Sequence, residues 1–97
     1  MEEKSFMNDF MTHTVKNIIA GAYKYKENRA ERSKYISDCM KESFTSISWC
    51  VIIYEVSHGY GCFNNASTSY YYWCKMNGEF IIVIGFEKLN NGNNSIK

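Results

Sequence analysis

The sequence predicts an α+β domain, with two helices packed on a four-stranded, mostly antiparallel sheet. Three observations carry this. Apolar residues recur at helical spacing near the start, and Asn28-Arg29-Ala30-Glu31 supplies a helix cap. From Ile47 onward the chain is rich in β-branched and aromatic residues, around an Asn77-Gly78 turn.

The first helix is expected over Phe6 to Tyr23. Phe6, Phe10, Ile18 and Ala22 lie on one row of four-residue spacing, and Met7, Met11, Val15 and Ile19 on the next. Together they form a broad apolar stripe that leaves Asn8, Asp9, Thr12, His13, Lys16 and Asn17 to solvent. A charged connector, "YKYKEN", follows. The second helix is expected from Arg29 to Ser43, with Asn28 as its N-cap and Glu31 three residues on. Its buried face is Ile36, Met40 and Phe44, with Cys39 beside them.

Ile47 to Val56 predicts a central strand, and Tyr60 to Asn64 a short, weak one. Ser69–Lys75 and Glu79–Glu87 predict a hairpin closed around Asn77-Gly78. In the last strand Phe80, Ile82, Ile84 and Phe86 alternate with Ile81 and Val83, so both of its faces are apolar. It is expected to be central and covered on both sides. Two helices cover only one face of such a sheet, so a second copy of the chain is expected on the other. Residues 1–88 form one domain, and the Asn-rich residues 89–97 are expected to be disordered.

Composition narrows the function. The chain has 97 residues and a formal net charge of +1, so it offers no field for nucleic acid or a membrane surface. Tyr70-Tyr71-Tyr72 could stack bases, but the basic surroundings that such binding needs are missing. The start, Met1-Glu2-Glu3-Lys4, is acidic with no apolar core behind it, which predicts a cytoplasmic chain without a secretory leader. Cys39, Cys50, Cys62 and Cys74 include no Cys-x-x-Cys pair, so neither metal nor other cofactor is expected and the cysteines read as free thiols. His58 reads as a surface turn residue. A thiol enzyme using Cys50 or Cys62 is an alternative reading, but the sequence shows no base oriented by a third group.

Three stretches carry a resemblance to a known family. "ISDCMKESF", "SWCVII" and "SYYYWC" with "GEFIIVIGFEK" resemble, in that order, the second-helix end, a Trp-His-Cys strand and the final aromatic hairpin of the small cytoplasmic dynein light chains of the hub type. The likeness extends by layout over about residues 6–88. The Tctex-type dynein light chains, which share the layout, are the second choice. The resemblance departs at "SHGYGCFNNAST" and at Trp49, where the family has a His beside the strand Cys.

The resemblance implies a non-catalytic homodimer that binds extended client peptides by strand addition. Such clients would include segments of a dynein intermediate chain, in a cytoplasmic, cytoskeleton-associated motor complex. It implies that the stretch from Gly61 to Ser67 (Gly61, Cys62, Phe63, Asn64, Asn65, Ala66 and Ser67) crosses to the partner and pairs with the client. Tyr70 and Tyr72 would lie near the groove floor and Lys34 near one end. Trp49, Phe63, Tyr71 and Trp73 would form the dimer interface.

Overall fold

The structure, a computed structural model, describes residues 2–55 and 70–87. The expected weak strand, the crossing stretch Gly61–Ser67, His58 and the 89–97 tail all lie outside the described residues. Within them the order is β1 (Glu3–Ser5), α1 (Asp9–Tyr25), α2 (Arg29–Ser43), β2 (Ile47–Glu55), β3 (Tyr70–Met76) and β4 (Glu79–Glu87). The four strands form one antiparallel-paired sheet in the order β1-β3-β4-β2. The expected fold class, two helices on a four-stranded sheet, is what the chain adopts.

Capping sets the helix starts. The Asn8 side chain accepts from the Met11 N–H at 2.8 Å, so α1 begins at Asp9 rather than at Phe6. Phe6 belongs to the sheet instead, its N–H bonded to the Tyr71 carbonyl at 2.8 Å. Asn28 caps α2 in the same way, accepting from the Glu31 N–H at 2.9 Å, and α2 spans Arg29–Ser43 as expected. The Asn77-Gly78 turn also forms as expected. Both residues have positive φ, 54° and 77°, which lets a two-residue loop match the twist of its flanking strands.

Two strand expectations need correction. The run from Ile47, expected to be central, pairs as β2 only with β4 among the described residues, so it lies at the edge of the described sheet. The fourth strand is β1, a polar Glu-Lys-Ser piece ahead of the first helix. It is held by pairing to β3 and by the Tyr72 hydroxyl, which donates to Glu3 at 2.7 Å. β4 is central, as expected.

Both helices lie on one face of the sheet. Met11, Val15, Ile19 and Ala22 of α1 and Ile36 and Met40 of α2 are buried with Ile47, Tyr72, Cys74, Ile81 and Val83. The second of the two predicted rows therefore faces the core together with Ala22 at the end of the first, while Phe10 of the first row is 71% exposed. At one end of this layer Trp49 lies over Gly85, its cross-strand partner, with Phe44 and Tyr70 on either side at centroid distances of 6.0 and 6.3 Å.

Candidate functional site

α2 and β2 are joined by the short turn after Ser43, so they run antiparallel with α2 above the strand's outward edge. Between Ile47 and Ile53, the backbone groups along that edge that do not face β4 among the described residues are a template for a further strand. Two recesses line the groove between them. One, of about 340 Å³, is bounded by Arg29, Ala30 and Ser33 of α2 and by Val51, Ile52 and Ile53 of β2. The other, of about 260 Å³, is bounded by Ser37 and Lys41 with Ile47, Ser48 and Trp49. The helix wall is thus the row Arg29, Ser33, Ser37, Lys41, at four-residue spacing, with Ala30 beside it. Its central members are small, which leaves room for side chains from an added strand.

The two ends of the groove differ electrostatically. Arg29 sits in the first turn of α2, where the helix dipole disfavours a cation. Glu55 and Glu79 stand directly opposite one another on β2 and β4, a like-charge pair that is unfavourable alone. Arg29 offsets both effects. One terminal guanidinium nitrogen meets Glu55 at 2.7 Å, and its Nε donates to the Glu79 carboxylate. Glu79 is 8% exposed and also accepts from the Tyr23 hydroxyl, and Arg32 approaches it at 3.7 Å while lying over the Tyr23 ring. At the other end Lys41 is exposed and makes no ion pair among the described residues.

The face of the sheet opposite the helices is also apolar. By alternation it carries Cys50, Ile52 and Tyr54 of β2, Tyr71 and Trp73 of β3, and Phe80, Ile82, Ile84 and Phe86 of β4. Towards the hairpin Trp73, Phe80 and Tyr54 form a row of ring contacts across three strands. Towards the outer side Ile52 and Phe86 are 43% and 50% exposed, and Cys50 is exposed beside them.

The residues expected in a site are not gathered in one place. Tyr72 is in the core beneath the helices, and Tyr70 is half-buried on the same face, its hydroxyl donating to Glu87 at 3.1 Å. Lys34 points away from the groove and pairs with Asp38 at 2.7 Å. Trp49 lies on the helix face at the groove's end, whereas Tyr71 and Trp73 lie on the opposite face. Gly61 to Ser67, Phe63 among them, lie outside the described residues. The residues that do line the groove, Ser33, Ser37 and Lys41, were visible as a polar row beside Ile36 and Met40. Nothing local marks such a row as lying over a strand edge rather than in open solvent.

Cys50 hydrogen-bonds to no base among the described residues. Cys74 is fully buried, and burial pushes its thiol up from 9.0 to about 11. The Tyr23 and Tyr72 hydroxyls are raised too, first by burial and then by donation to Glu79 and Glu3. These groups keep their protons when folded and lose them sooner when unfolded. Their contribution is therefore complete below the unfolded thiol value and is lost as pH rises from about 9. Urea midpoints are expected to fall between pH 8.5 and 11, with Cys74 alone accounting for roughly 2 kcal/mol at the upper limit. Cys74→Ala should flatten the early part of that decline, and an unchanged pH profile in the variant would remove Cys74 as its cause.

No helix among the described residues is long and apolar enough to cross a membrane. No family model matches the chain, and no curated protein matches it in sequence.

Proposed function

We propose that the chain is a non-catalytic adaptor: a homodimer that binds extended peptides by adding them as strands to its sheet. The observation that carries this reading is the outward edge of β2 running beneath α2, with a groove along its length. Main-chain pairing would supply affinity there, and the α2 row would supply selectivity. On the face opposite the helices the exposed apolar margin of Ile52 and Phe86, with Cys50 beside them, is suited to a second copy, because exposed apolar patches mark contact surfaces.

Chain length is compatible with strand exchange. β2 and β3 are both antiparallel to β4, so they are parallel to each other, and residues 56–69 join the end of one to the start of the other. The diagonal between those ends is about 20–25 Å from strand rise and spacing. A segment this long spans about 45 Å when extended, leaving slack for an excursion to a partner. In the dynein light chain-like form of the proposal, Gly61–Ser67 crosses to the partner, and the client pairs beside it in the space under α2. Segments such as those of a dynein intermediate chain, in a cytoplasmic and cytoskeletal setting, are the clients this form names.

Sedimentation equilibrium tests the assembly. A dimer is expected at micromolar concentration, and Ile52→Glu should weaken it at least tenfold by placing a charge on the apolar face. That residue is half-exposed in the single chain, so its folding should be little affected, as a circular dichroism melt would verify. A wild-type chain that remains monomeric at high concentration would overturn the dimer.

A further inference from the structure

We propose that the groove under α2 selects extended segments that carry a carboxylate four residues from an apolar side chain, and that Lys41 reads the carboxylate. This rests on the reading of the groove as a strand-binding site and adds the class of partner.

The spacing comes from both walls. The recesses are centred near Ser48 and Ile52 on β2, four residues and so about 13 Å apart along a strand. On α2 they are centred about eight residues apart, which is about 12 Å of helix. The walls agree, and an extended segment lying along them places residues i and i+4 at the two recesses. Because strand side chains alternate, those two residues point to the same side. The α2 wall alone sets the same interval, so the preference holds whether the segment pairs with β2 itself or with a strand already added to it.

The chemistry of the recesses distinguishes the two positions. Near Ala30 and Ser33 the floor is Val51 and Ile53, and the one cation, Arg29, is already met by Glu55 and Glu79. An added carboxylate gains little there, whereas an aliphatic side chain gains burial. Near Ser37 and Ser48 the cation is Lys41, which no carboxylate meets among the described residues. The nearby Asp38 is engaged by Lys34. With Arg32 also approaching Glu79, the two cations and two carboxylates around the first recess balance, and the charge at the second is positive. Lys41 is flexible and exposed, so it contributes a charge preference more than a fixed geometry.

The test uses labelled peptides with the core Ile-Thr-Val-Thr-Glu and its reverse, Glu-Thr-Val-Thr-Ile, each flanked by threonines, read by fluorescence anisotropy on the full chain. The two orders cover the two strand directions. In the tighter order, exchanging Glu for Gln should weaken binding about two- to five-fold, as for an exposed ion pair, and added salt should shrink that ratio. Lys41→Glu should reverse the preference, so that a Lys-bearing peptide binds better than the Glu-bearing one. If the neutral peptides bind but Lys41→Glu leaves the Glu-to-Gln ratio unchanged, the charge reading is wrong and the groove stands. If none of these peptides binds the wild-type chain, the groove reading falls and this inference falls with it.

Discussion

Replacing Glu79 with alanine is expected to destabilise the fold by about 2–4 kcal/mol, measured by urea unfolding near neutral pH. The carboxylate is almost wholly buried and joins three elements to its own strand: Tyr23 from α1, Arg29 and Arg32 from α2, and Glu55 of β2 through Arg29. Removing one partner from a buried charge network leaves the others desolvated without compensation, which typically costs about 3–5 kcal/mol. The lower range is chosen because the Arg29 side chain is 43% exposed and water can replace part of the loss. Glu55→Ala is the contrast. Its side chain is 41% exposed and its ion pair with Arg29 is open to water, so about 1 kcal/mol or less is expected, and its removal also relieves repulsion with Glu79. Equal effects from the two variants would show that Glu79 acts as an ordinary surface carboxylate.

Gly85→Ala should cost about 2–3 kcal/mol despite adding only a methyl group, in the range for overpacking a filled site. A Cβ built there would lie 2.6 Å from the Trp49 ring and 2.7 Å from Ile47 Cγ2. Trp49 is directly opposite Gly85 on β2 and Tyr70 directly opposite on β3, so two large rings close over a residue with no side chain of its own. The Trp49 ring is confined by Phe44 and Tyr70 and has no easy retreat. The partner variant isolates the cause. Trp49→Val removes the contact with the ring while that with Ile47 remains, so the double variant Gly85→Ala/Trp49→Val should lose less than the sum of the two single losses. Strict additivity would place the Gly85 effect in the backbone or in the contact with Ile47 rather than in the contact with Trp49.

Much of the fold was legible because its signals are local. Asn28 and Glu31 mark the start of α2, and Ile36 and Met40 mark its buried side. Asn77-Gly78 marks the hairpin through the positive φ that such a turn demands. Where the reading slipped, a local signal was present but was outweighed by hydrophobic spacing. Phe6 and Met7 continue the α1 stripe, yet the Asn8 cap begins the helix after them. β1 carried no such signal. Glu-Lys-Ser has neither apolar alternation nor β-branched residues, and it becomes a strand because β3 offers an edge for it.

The candidate site was less legible than the fold, because it is made by relative placement. Ser33, Ser37 and Lys41 read as a solvated helix row until the strand edge is placed beneath them. Tyr72 reads as an aromatic binding residue until its hydroxyl is found on Glu3 beneath α1.

By itself the sequence determined the helices, the hairpin and the apolar character of both faces of β4, since each depends on residues close along the chain. Only the tertiary structure decided that β1 joins β3, that β2 pairs only with β4 among the described residues, and that Glu79 gathers Tyr23 and Arg29 from more than forty residues away in the chain. The physical reason is that hydrogen-bond ladders and buried charges are satisfied by whichever group arrives, and the identity of that group depends on chain topology rather than on neighbouring residues.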